Sequence, residues 1–176
     1  MKYIFAIMVF SLFSFQNKPF EDSVLFANTS FKLFTQSEEA SFIKKMYLPK
    51  GQSSNDFYEK FTFYVIKDEK DVIKSSKERV KKLQERQKTD PKCNYEYILN
   101  HDNSGLVFQY FMSDDEKDFL EYNIEKHVLN THGKYIDQIS VYRYSYRAYA
   151  EDKVSFLKYL DDNKAQLIQD MWTFSL

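Results

Sequence analysis

The sequence predicts an α+β fold, with one antiparallel β-sheet of about six to seven strands and helices packed on one face. Three observations carry that expectation. Phe and Tyr, 17 and 14 of the 176 residues, gather with Val and Ile in short runs of the kind that form strands. Most of these runs are joined by short polar turns, and such turns pair neighbouring strands antiparallel. Two further segments instead carry apolar residues at three- and four-residue intervals, which is helical spacing.

Taken in order, residues 24–35, 40–48 and 57–66 are the first strands, with Ser37-Glu38-Glu39 as the turn between the first two. Between the second and third, Pro49 ends a strand, Gly51 turns the chain and Phe57 anchors the return into the core. A helix follows from Asp68 to about Lys88, with Val72, Val80 and Leu83 on one face and Asp68 and Asp71 as N-terminal caps. Pro91 closes it. From Lys67 to Lys88 there are nine Lys or Arg against five Asp or Glu. Because acids are interleaved throughout, the reading is a solvated outer face, with docking on anionic lipid or an acidic partner as the alternative.

Strands at 93–100, 105–112, 118–129 and 135–149 come next. Cys93, the single cysteine, is expected to be a buried, inert strand residue. The last element is a helix from near Glu151 towards Phe174, with Val154, Leu157, Leu160, Ile168, Met171 and Trp172 at the apolar spacings. Asp161-Asp162-Asn163 is a point where it can divide in two.

The long hairpin from Asp118 to Tyr149 brings together the residues with chemical potential. With Asn130-Thr131-His132-Gly133-Lys134 as its loop and Leu129 facing Tyr135, Glu121 stands opposite Arg143 and His127 opposite Asp137. These share a face expected to be solvated. Leu120, Tyr122, Ile124, Val128, Tyr142, Tyr144 and Tyr146 lie on the other face, expected to be the core under the helices. Glu121, Arg143, Arg147 and His127 are therefore the candidate ligand-binding residues. The two arginines either hold a carboxylate or phosphate of a ligand or simply pair across strands with Glu121. His127 beside Asp137 has the form of an oriented general base, but no nucleophile is identifiable to complete it.

Other chemistry is excluded by composition. Gly51, Gly105 and Gly133 lie too far apart for a Walker loop or a dinucleotide fingerprint. One Cys and three His rule out a Cys-rich zinc site, and Asp114-Asp115-Glu116 lacks the alternating ligands of a calcium loop, so no metal and no cofactor is expected. Ser-x-x-Lys occurs twice, at Ser41 and Ser155, as often as chance allows for a chain with this much Ser and Lys.

Residues 1–16 carry one positive charge and then an apolar run too short for a membrane span, the outline of a secretory signal peptide. Residues 17–176 would then form a single exported domain, periplasmic or secreted. Its 24 basic and 26 acidic residues argue against nucleic acid as a partner.

Leu48-Pro49-Lys50-Gly51-Gln52-Ser53-Ser54-Asn55-Asp56-Phe57 followed by Phe61-Thr62 resembles a family of small exported bacterial proteins of unknown function. That family carries a strand ending in Pro-x-Gly-Gln or Pro-x-Gly-Glu, then Asn-Trp, then a strand containing Thr. Leu120-Glu121-Tyr122-Asn123-Ile124 and Tyr146-Arg147-Ala148-Tyr149 are similar to its paired late strands. Phe57 stands where the pattern has Trp, and Lys45 where it has an acid. The resemblance implies an exported α+β domain and no known reaction. The expected function is therefore that of a non-enzymatic domain, monomeric and without a permanent membrane span, that binds a small molecule or an envelope protein. The alternative is a hydrolase-like enzyme with His127, Asp137, Glu121 and Arg143 on the outer sheet face.

Overall fold

The computed structural model describes residues 22–102 and 104–176. The signal-peptide expectation for residues 1–16 lies outside the described residues. Two antiparallel meanders make up one sheet. The first contains β1 (Ser23–Phe26), β2 (Thr29–Glu38), β3 (Phe42–Leu48) and β4 (Glu59–Ile66). After α1 (Val72–Gln87), the second contains β5 (Tyr95–Leu99), β6 (Gly105–Asp114), β7 (Phe119–Leu129) and β8 (Ile139–Tyr149). The strand order is β1-β2-β3-β4-β8-β7-β6-β5, so the meanders meet where β4 pairs with β8. A 3₁₀ turn, Ala150–Asp152, leads into α2 (Lys153–Thr173).

Among the described residues the sheet has eight strands where six to seven were expected. The stretch 24–35 is not one strand but a hairpin. Ala27 and Asn28 both take left-handed backbone angles, φ 48° and 62°, and fold β1 onto β2 so that Phe26 pairs with Thr29. Positive φ at two successive residues is the signature of the tight hairpin turn whose twist matches that of the strands.

Both helices form where spacing placed them, with shifted limits. Asp71 alone caps α1, its carboxylate accepting from Ile73 N at 2.8 Å and Lys74 N at 3.1 Å. Asp68 sits in the preceding turn at φ 60°. α2 runs unbroken through Asp161-Asp162-Asn163, because both aspartates are on its solvent side. Its buried residues are Phe156, Leu160, Leu167 and Met171, whereas Val154 and Leu157 face water. Cys93 is buried as expected but precedes β5, its Sγ 3.9 Å from the Leu83 carbonyl.

The helices cover opposite faces of the sheet, not one. Successive side chains of β7 show it: Lys126 Nζ donates to the Trp172 and Phe174 carbonyls at the end of α2, while His127 is hydrogen-bonded to Ser75 of α1. The α2 face holds the aromatic core expected on the even positions, with Tyr122, Ile124, Tyr142 and Tyr144 against Phe156, Leu160, Leu167 and Met171. The α1 face holds a smaller apolar cluster around Val72, Leu83, Phe108, Ile139 and Val141. Beside that cluster lies a row of polar residues, Glu121, Asn123, Glu125 and His127, each 1–3% exposed.

The hairpin register also differs. Leu129 pairs with Ile139, so Glu121 faces Arg147, Glu125 faces Arg143 and His127 faces Val141. The loop is longer than expected because Tyr135, Ile136 and Asp137 curl into a turn, with Ile136 N donating to the Gly133 carbonyl and Asp137 at φ 61°. Asp137 pairs with Lys70 at the surface, 3.0 Å away, and takes no part in a site with His127.

Candidate functional site

The polar row on the α1 face divides into two groups. Nearer the motif loop, Arg147 gives Nε and Nη2 to one oxygen of Glu121, at 2.9 and 2.6 Å. Its guanidinium lies between the rings of Phe57 and Phe119, 4.0 and 3.8 Å from their centroids. The motif loop that delivers Phe57 turns at Gly51 (φ 89°) and is closed by Gln52, whose Oε1 accepts from Tyr58 N and Glu59 N. Both ends of this ion pair are thereby enclosed.

The second group is open. Glu125 is 1% exposed and receives Arg143 Nε at 2.6 Å, the Tyr110 hydroxyl at 3.1 Å and, on its other oxygen, His127 Nε2 at 2.8 Å. Arg79 of α1 completes the pairing at 3.2 Å. Burial opposes ionisation of Glu125, but Arg143, Arg79 and the His127 hydrogen bond outweigh it and hold the carboxyl well below the usual carboxylate range. Arg143 responds in the opposite sense: burial works against its charge, and Glu125 more than compensates.

A cavity of about 370 Å³ opens over this group, between α1 and strands β3, β4 and β8. Phe42, Ile66 and Val141 supply an apolar wall, and Arg79, Lys82 and Arg143 supply cations. Arg143 commits only Nε to Glu125. Its terminal nitrogens have no hydrogen-bond partner among the described residues, and the Tyr64 ring lies 5.3 Å from its guanidinium carbon. Ser75, Glu125 and His127 also border the cavity. A larger apolar groove of about 550 Å³ lies between the outer side of α1 and edge strand β5, lined by Val80, Tyr97, Leu99 and the stems of Lys77 and Lys81. Among the described residues no comparable set of charged groups converges there.

A protein-family model matches residues 20–176. The chain belongs to that family, an uncharacterised one of bacterial type. The match spans every described residue, so the residues of the sheet, both helices and the α1 cavity all lie within the matched stretch. No curated protein and no solved structure matches the chain.

Of the four residues singled out from sequence, the structure keeps all on one face but separates them. Glu121 and Arg147 close on each other, whereas Arg143 and His127 meet at Glu125. Sequence reasoning missed Glu125, Arg79 and Ser75. Glu125 was within reach, since it sits two residues from His127 and shares its face. Arg79 and Ser75 come from a helix some fifty residues away, and no local pattern marks them as facing the strand.

Proposed function

We propose that this is an exported domain, periplasmic or secreted, that binds a small molecule carrying an acidic group in the cavity between α1 and β8. One observation carries the reading: the unspent end of Arg143 borders a cavity that also has an apolar wall. A guanidinium whose Nε is fixed by a buried carboxylate is oriented in advance, so its remaining donors receive a ligand carboxylate at little entropic cost. The volume falls within the range of small-molecule sites. In this reading the domain is a monomer, binds without a cofactor and performs no turnover. The short apolar lead and near-neutral charge support export and a partner other than nucleic acid. Among the described residues no helix is long and apolar enough to cross a membrane.

The test uses octanoate and benzoate as probes, followed by NMR shift changes in the mature chain. Saturable shifts at Tyr64, Val141 and the His127 ring are expected, with affinity at least tenfold weaker in Arg143→Gln, about 1.4 kcal/mol. Shifts scattered over the surface, or binding indifferent to Arg143→Gln, would remove the reading. The hydrolase-like alternative loses its original constellation, because Asp137 and Glu121 are engaged elsewhere. A different observation, the hydrogen bond between Ser75 and His127, bears on chemistry at this cavity.

A further inference from the structure

We propose that Ser75 is a nucleophile that accepts the acyl group of a small activated ester held in the α1 cavity, so that the domain captures this ligand covalently. The inference rests on the cavity being a ligand site, as argued above.

Three features of geometry lead to it. Ser75 Oγ and His127 Nδ1 are 2.8 Å apart, and His127 Nε2 and Glu125 Oε1 are also 2.8 Å apart. An ionised carboxylate accepts and cannot donate, so the imidazole proton between His127 and Glu125 belongs to Nε2. In the neutral imidazole Nδ1 is then the lone-pair nitrogen, and the Ser75 hydroxyl donates to it. This is the arrangement in which a histidine removes a serine proton as the oxygen attacks, with the carboxylate fixing tautomer and ring orientation.

The second feature is the contrast with the next residue. Ser76 Oγ donates to the Ile73 carbonyl at 2.8 Å, the usual bond of a helical serine to its own helix. Ser75 is turned off the helix and onto the strand. The third is placement: Ser75, His127, Glu125 and the free end of Arg143 all border the same cavity. Donors aimed at developing negative charge lower the barrier to acyl transfer, and the free end of Arg143 supplies such donors in this cavity.

In the step itself Ser75 Oγ forms a bond to the ester carbonyl carbon and passes its proton to His127 Nδ1. The carbon–oxygen bond to the leaving group breaks, and His127 returns the proton to the departing oxygen. The products are a Ser75 ester and the free alcohol or phenol, and no oxidant, reductant or further reactant is consumed. Glu125 does not touch the substrate and is a positioning residue.

The experiment incubates the mature chain with p-nitrophenyl octanoate and, separately, a fluorophosphonate, and reads intact mass and the modified peptide. A single adduct on Ser75 is expected, absent in Ser75→Ala and slowed roughly a hundredfold or more in His127→Gln. Ser75→Ala removes one oxygen from a folded helix, and its octanoate binding, measured as above, shows that the cavity is intact. Adducts elsewhere, or equal labelling of Ser75→Ala, would overturn the proposal. Octanoate binding without any labelling would overturn it and leave the binding reading standing; the absence of both would remove the two together.

Discussion

Lys60 shows what a single half-buried charge does in this domain. It enters β4 with Nζ 3.8 Å from the Phe57 ring centroid, opposite Ser145 on β8. Burial is the main cause that brings its ammonium down to about 8, with Glu121 opposing and Arg147, Arg143 and Lys44 adding to the fall. An unfolded lysine titrates near 10.4, so between pH 8 and 10.5 the unfolded chain binds more protons than the folded one and stability rises with pH. Below pH 8 both states are protonated, and the folded state carries the whole cost, on the order of 3 kcal/mol. Lys60→Met is therefore expected to stabilise the protein at pH 7 by about 1–3 kcal/mol, the lost contact with Phe57 offsetting part of the gain. In paired guanidinium denaturation series the gap between variant and wild type should close from pH 8 to 10.5. A gap that stays constant would mean that Lys60 is solvated. The neighbouring arginines differ from it because each has a carboxylate within 3 Å: Arg147 spends two nitrogens on Glu121, and Arg143 one on Glu125.

At the level of elements, the turn between β1 and β2 is the place where a side chain works against the backbone. Ala27 holds φ 48°, a conformation that costs an L-residue roughly 1–2 kcal/mol and glycine almost nothing. Ala27→Gly should raise stability by about 1 kcal/mol in equilibrium unfolding, and a loss would place Ala27 in some other backbone state. The same residue explains why this hairpin was illegible. Alanine carries no turn preference, so nothing in Leu25-Phe26-Ala27-Asn28-Thr29 marks a reversal except Asn28, which tolerates the left-handed region. The β7–β8 register failed for a related reason: Tyr135 and Ile136 have strand composition but serve a turn, Tyr135 O accepting from Gln138 N. The resulting shift is four residues, an even number, so each side chain kept its face. Face membership follows from a two-residue period and was legible. Partner identity depends on loop geometry and was not. In α2 the apolar spacing was legible, but its aspartates are outward-facing residues of a continuous helix and do not break it.

Across the whole molecule, the two faces of the sheet are held by different forces, and this too was beyond sequence. Glu121, Asn123, Glu125 and His127 read as a solvated strand face because their types are polar. They are buried because Arg79, Arg143, Arg147, Ser75 and Ser145 arrive from other elements to pair with them. The α2 layer is mainly aromatic, whereas the α1 layer carries the ion pairs on Glu121 and Glu125, so acid should act first on the α1 layer. The folded value for Glu125 lies well below the ordinary one. Its contribution is therefore complete above the unfolded value near 4.3 and is lost as pH falls through the folded value. Glu125→Gln should cost about 3–5 kcal/mol at pH 7, since it leaves Arg79 and Arg143 charged beside a neutral amide. Its stability should then change less than that of wild type between pH 5 and 2, so that the two curves converge in acid. As a control on the opposite face, Phe156→Leu should lower stability by a constant amount over the same range, because removing part of a buried ring leaves a cavity and no proton is involved. If Glu125→Gln and wild type instead ran parallel down to pH 2, Glu125 would not be ionised in the folded state. The hydrogen-bonded order from Ser75 through His127 to Glu125 would then have its protons the other way round, and Ser75 would have no base to receive its hydroxyl proton.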